Sequence, residues 1–178
     1  MLNTLNSKRL LPVLLTAALI VGAAIWPSGD RTEAEAAPSA RTTYTMVVPA
    51  AAFYPGFDGQ DYTSGGSLGM TSGMGFFVAP VSFPQALVTV TGITLHAYDN
   101  GPYDLSVVMQ RVRPAVGREV TMASLGSSGQ STTDPRSFTT AAVHSRTVDA
   151  RYHSVYLVVM QPGGVNYKFY GVTIRYQA

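Results

Sequence analysis

The sequence predicts an all-β domain, and three observations carry that expectation. Beyond residue 40 no stretch places apolar side chains at the i, i+3, i+4, i+7 spacing of an amphipathic helix. Val, Thr, Tyr and Phe dominate instead, the types that suit a pleated, half-buried surface. Gly, Pro, Ser and Asn interrupt them about every ten residues, the repeat of a short strand plus its turn. With no alternation of strands and helices, the expected architecture is an antiparallel two-sheet β-sandwich of about eight strands. It should occupy residues 44–178, after a linker at 37–43.

The elements follow from local pattern. Thr43 to Val48 is a first strand, stopped by Pro49. Residues 53–75 read as loop, because Pro55-Gly56, Asp58-Gly59, Gly65-Gly66, Gly69, Gly73 and Gly75 permit tight or unusual backbone. Met74 to Val78 is a strand, ended by Pro80 and Pro84. Leu87 to Tyr98 is the clearest strand, with Val88 and Val90 on one parity and Ile93, Leu95 and Ala97 on the other. Gly92 sits at the switch, where a β-bulge would return both sets to one face.

Asp99-Asn100-Gly101-Pro102 is a turn. Tyr103 to Val112 follows, with Leu105, Val107 and Met109 on one face. Further strands are expected at Glu119–Leu125, Ser137–Val143, His153–Gln161 and Tyr167–Gln177. Val155 to Met160 is apolar on both parities, and so is much of Tyr167 to Ile174. Such strands need cover on both faces. The cover is either the Gly-rich loop of residues 55–75 or another subunit or ligand. In the second case Tyr156, Val158 and Met160 are the assembly-interface candidates.

Ahead of this domain, Lys8 and Arg9 precede an apolar run from Leu10 to Trp26, and Ala34-Glu35-Ala36 offers a small-x-small site. Charged start, apolar middle and small-residue exit describe a signal helix and signal peptide over residues 1–36, cleaved after Ala36. The rival is an uncleaved N-terminal anchor, since the run reaches the lower end of the spanning range. Either outcome places the domain outside the cytoplasm, and membrane contact is expected only through this segment if it stays uncleaved. Zero Cys excludes a lipid-modified N-terminal cysteine and suits a bacterial secretory route, so a secreted or surface-associated location is expected.

Removing residues 1–36 leaves nine basic and seven acidic residues, and a net charge of +2. A charge so small gives no case for nucleic acid, which needs a clustered basic face. Arg111, Arg113 and Arg118 do bunch together, but Glu119 adjoins them and Pro114 interrupts, so they read as a solvated hairpin end.

Several segments carry a family resemblance over about residues 87–177. Thr91-Gly92-Ile93-Thr94-Leu95-His96-Ala97-Tyr98-Asp99-Asn100 with Tyr103-Asp104-Leu105-Ser106-Val107 is one. Thr121-Met122-Ala123-Ser124 is another. Val148-Asp149 with Tyr152 and Tyr156-Leu157, then Phe169-Tyr170-Gly171-Val172-Thr173-Ile174-Arg175-Tyr176, complete the set. Together they resemble uncharacterised secreted bacterial β-sandwich domains. The resemblance implies a jelly-roll-like sandwich and no particular chemistry, because a shared sandwich does not transfer function.

The search for chemistry is mostly negative. Gly65-Gly66-Ser67-Leu68-Gly69 matches G-x-S-x-G, but that pattern works at a strand-to-helix elbow and here lies in a glycine-rich loop. The stretch also lacks the Gly-Lys-Ser/Thr ending of a phosphate loop. His96, His144 and His153 have no metal-ligand spacing. Asp99 with Asp104, and Asp58 with Asp61, are carboxylates close enough to suggest calcium, yet Asp is also an ordinary turn residue. A single surviving Glu argues against a glycosidase pair.

Tyrosines are the best remaining lead. Tyr98 and Tyr103, with His96 and Asp104, flank one turn and are the ligand-binding candidates, since flat aromatic faces stack on sugar rings. No catalytic residue is assigned. The expectation is a non-catalytic structural or interaction module that self-associates through its C-terminal strands and whose partners are other protein subunits. A carbohydrate-binding module acting on extracellular polysaccharide is the alternative, and a hydrolase a distant third. No cofactor is expected beyond the calcium that Asp99 and Asp104 suggest.

Overall fold

The computed structural model describes residues 41–128 and 133–178. The signal segment, Ala36 and the first linker residues lie outside the described residues. Among these, twelve strands form: β1 (Thr43–Pro49), β2 (Tyr54–Pro55), β3 (Tyr62–Thr63), β4 (Gly69–Met70), β5 (Met74–Val81), β6 (Leu87–Asp99), β7 (Ser106–Arg113), β8 (Arg118–Gly126), β9 (Arg136–Thr140), β10 (Thr147–Asp149), β11 (Ser154–Pro162) and β12 (Tyr167–Gln177). The expectation of about eight is corrected to twelve. The eight longer strands are the eight foreseen; β2, β3, β4 and β10 have two or three residues each, too few for alternation to show. Only two 3-10 turns, Ala50–Ala52 and Pro114–Val116, interrupt the β structure among the described residues. No helix there is long and apolar enough to cross a membrane.

Ten of these strands make two five-stranded antiparallel sheets, and β3 pairs with β4 alone. In the first, β1, β12 and β6 lie side by side, and β10 and β9 share the far edge of β6. The second runs β2-β5-β11-β7-β8. Inner faces of both contribute to one core, in which Phe77, Leu157 and Met109 from the second sheet and Leu95, Phe169 and Ile174 from the first are fully buried. Burial of each such side chain is worth about 2–3 kcal/mol, and a chain this long needs no disulfide to hold the core.

Two bulges reconcile apolar pattern with a single inner face. Arg175 pairs with Gly92 and Tyr176 with Val90, so Thr91 is the extra residue and both apolar sets of β6 turn inward. That is the bulge expected at Gly92. A Cβ there would lie 2.9 Å from the Thr140 carbonyl, so the close approach of β9 requires glycine. The second bulge was not foreseen. Phe169 pairs with Ala97 but Gly171 with His96, leaving Tyr170 unpaired. This bulge turns both Tyr167, Phe169 and Val172, Ile174, Tyr176 inward, and the outer face of β12 then carries Lys168, Thr173 and Arg175. The two-sided reading of β12 is therefore corrected: its apolar residues have one face and one bulge.

Pro80 does not end β5. It pairs opposite Tyr156, on a strand whose other neighbour, β2, reaches only Phe77 and Val78. Beyond that point β5 is an edge, and an edge tolerates a residue with no N–H to donate.

Candidate binding surfaces

β11 lies between β5 and β7 and is apolar on both faces, as expected. Val155, Leu157 and Val159 face the core and are buried; Tyr156, Val158 and Met160 face outward and are half-buried. Their cross-strand neighbours on β5 continue the outer apolar face, whereas on β7 Gln110 lies opposite Tyr156 and Ser106 opposite Met160. Val158 lies opposite Val78 on one side and Val108 on the other, Tyr156 opposite Pro80, and Met160 opposite Phe76. Tyr54, 54% exposed, pairs opposite Val78, and Phe57, 51% exposed, packs with its ring 5.5 Å from that of Phe76. One end of the face is polar: the Tyr156 hydroxyl donates to Glu119 Oε1 at 2.7 Å. Burial of the phenol, reinforced by that carboxylate, pushes its pKa up to about 12.

The Gly-rich loop leaves most of this face open. Its Leu68 and Met70 are buried in the core, Leu68 bridging to Phe169 and Met70 to Gly163, and Tyr62 packs edge-on against the inner Phe77. Gln161, fully buried on β11, anchors the loop by donating to the Leu68 and Tyr167 carbonyls at 3.1 and 3.3 Å. Gln60 bonds the Phe76 backbone through both its amide oxygen and nitrogen. Gly56 and Phe57 of the loop lie over the outer face, beside Val78 and Phe76.

The turn after β6 distributes the four ligand-binding candidates differently. His96 lies on the outer face of β6, as its parity requires, and both ring nitrogens are engaged: Nδ1 with Ser137 Oγ and Nε2 with Thr173 Oγ1, each at 2.8 Å. Tyr98 shares that face and lies under the Lys168 ammonium, 5.9 Å from the ring centroid. Tyr103 is 67% exposed beyond the turn, its N–H donating to the buried Tyr167 hydroxyl at 3.0 Å. Asp104 is also exposed. Among the described residues no hydrogen bond or ring contact joins Tyr98 to Tyr103 or Asp104.

Asp99 is buried, and its carboxylate already has donors. Oδ1 accepts the Gly101 N–H at 3.1 Å, and Oδ2 accepts the Ser127 hydroxyl. Among the described residues no group of three His, Asp or Glu side chains gathers as a metal site. Ser67 of the G-x-S-x-G stretch precedes the short strand β4, with no helix after it and no histidine bonded to it among the described residues.

The arginines expected as a solvated hairpin end share one cleft. Arg111 and Arg113 continue the inward parity of Leu105, Val107 and Met109 along β7, and Arg118 pairs opposite Arg113 on β8. With Val116, Val120, Ser145 and His153 they line an open cleft of about 530 Å³ at the end of the sandwich. The signal was present, since two arginines extend a core-facing row. The hairpin simply runs past the core.

No family model matches the chain, and no curated protein matches it significantly. Among solved structures, the CBM36-1 domain of a multidomain xylanase from the hindgut metagenome of Trinervitermes trinervoides matches over 76% of this chain and 98% of that one. Identity is 11% and the TM-score 0.44. At that level no residue's role passes from one chain to the other.

Proposed function

We propose that this domain is a non-catalytic, exported binding module whose working surface is the outer face of β5, β11 and β7. The observation that carries the reading is the central strand: Tyr156, Val158 and Met160 lie outward beside Pro80, Val78 and Phe76 of β5 and Val108 of β7, while Leu68 and Met70 of the nearby loop are buried in the core. An apolar sheet face of this kind is stabilised by a partner that removes it from water. The partner is another protein subunit, a second copy of the chain included. Sedimentation velocity over a wide concentration range tests this. Wild-type mature protein should gain mass as concentration rises, and Val158→Asp should stay monomeric with an unchanged circular dichroism spectrum. A wild type that stays monomeric and captures no subunit would sink it.

A second reading has its own observation: Tyr54, Phe57 and Phe76 put aromatic rings on that same face, and aromatic faces stack on sugar rings. Retention on a polysaccharide panel separates the two. If a glycan is the occupant, Tyr54→Ala should weaken retention about tenfold. Tyr98→Ala and Tyr103→Ala report on the turn, and parent-like binding by both would dismiss it. Export is part of the same proposal and is read by N-terminal sequencing of secreted protein, which should begin at Ala37.

A further inference from the structure

The cleft at the tip of the β7–β8 hairpin gathers positive charge that the described residues leave unneutralised. Arg111 is fixed by donating to the Ser145 carbonyl at 3.1 Å and to the Thr147 carbonyl. Arg113 lies over the Tyr152 ring at 5.9 Å. Arg118, exposed, faces Arg113 across the hairpin. Two carboxylates lie nearby, and both are turned elsewhere. Asp149 is paired with Arg151 at 2.7 Å, and Glu119 accepts the Tyr156 hydroxyl at the outer face of the sheet. Three guanidiniums on one cleft with no carboxylate between them among the described residues repel one another.

His153 lies in the same cleft. Its Nδ1 accepts the Asp149 N–H at 3.1 Å, and burial, followed by the charges of Arg111 and Arg113, holds its pKa below the usual histidine value against the opposing pull of Asp149. Ser145, whose carbonyl orients Arg111, has φ +47, in the left-handed region. Strained backbone is characteristic of positions held for a ligand.

We propose that this cleft binds a tetrahedral oxyanion, a sulfate or phosphate group. Guanidiniums present several N–H donors in a fixed fork, and three of them around one cleft match an acceptor with oxygens in more than one plane. The site faces the inner side of the hairpin and does not rest on the self-association reading.

NMR titration of the mature protein with sodium sulfate and with sodium phosphate, at constant ionic strength set by chloride, provides the test. Saturable shifts should be confined to residues near Arg111–Arg118 and Ser145–His153, and the His153 titration midpoint should rise as the anion offsets the arginine charge. Arg118→Gln should weaken binding about tenfold, because a charge-assisted contact is lost. It should leave thermal stability intact, since Arg118 has no hydrogen-bond or ion-pair partner among the described residues. Arg41→Gln, on the other sheet, should bind like the parent. Arg113→Gln serves as a second variant. A sulfated oligosaccharide binding tighter than free sulfate identifies a polysaccharide as the source; equal binding identifies the free anion. Linear, unsaturable shifts, or equal affinity in both Gln variants and the parent, would overturn the site.

Discussion

Replacing Gly171 by Ala is expected to destabilise the domain by about 3 kcal/mol, enough to lower Tm by roughly 10 °C. Two separate effects add. Gly171 has φ +147, a backbone conformation that L side chains rarely adopt, and such a position costs about 1–3 kcal/mol when filled by another residue. A Cβ there would also sit 2.7 Å from the Val48 carbonyl and 3.2 Å from Pro49 Cα, both backbone atoms of β1. Neither can swing aside as a flexible side chain would. β1 pairs along its length with β12 alone, so a forced separation at Pro49–Gly171 threatens the whole edge ladder. Gly117→Ala is the control. Its φ is +60 but nothing lies within 4 Å of the added methyl, so only about 1–2 kcal/mol should be lost. Urea denaturation of both variants decides the point. Equal losses would show that the approach of β1 contributes nothing.

Gly171 also shows where sequence reasoning stops. At Gly92 the apolar parity flips beside a glycine while the skipped residue, Thr91, is polar, so the bulge is legible. At β12 the unpaired residue is Tyr170, itself aromatic, and the pattern looks like a strand buried on both sides. β11 shows the same double pattern and is two-sided in fact. What separates them is register against a partner far along the chain: Ala97 and His96 for β12, Val78 and Val108 for β11. Local periodicity contains no term for that.

The candidate sites divide in the same way. The outward parity of His96 was readable along its own strand, but Ser137 and Thr173, which occupy its ring nitrogens, come from two other strands. Tyr98 looks free in sequence and meets Lys168 only through the β6–β12 pairing. The outward row of Tyr156, Val158 and Met160 needed no partner to be read, because alternation alone defines a face. Arg111 and Arg113 were equally readable by parity. Their charge drew attention to solvent when their register pointed inward.

Ser127→Ala is the second large effect, about 2–3 kcal/mol, for a change that deletes one oxygen. Ser127 is 1% exposed and joins three segments. Its hydroxyl donates to Asp99 Oδ2 and accepts the Leu105 N–H at 2.8 Å, while its own N–H donates to the Leu105 carbonyl at 2.8 Å. Alanine leaves the Leu105 donor without its partner and strips one donor from a buried carboxylate, and a buried polar group left unsatisfied costs more than a made bond contributes. The residues so tied, Asp99 to Leu105, include the exposed Tyr103 and Asp104. Loosening the turn should therefore speed amide exchange there before it affects β11. Coupling identifies the cause. The double variant Asp99→Ala/Ser127→Ala should lose at least about 1 kcal/mol less than the sum of the singles, because either change alone already breaks the shared bond. Strict additivity would mean that Asp99 and Ser127 hold the turn independently. In that case the buried carboxylate would need another explanation.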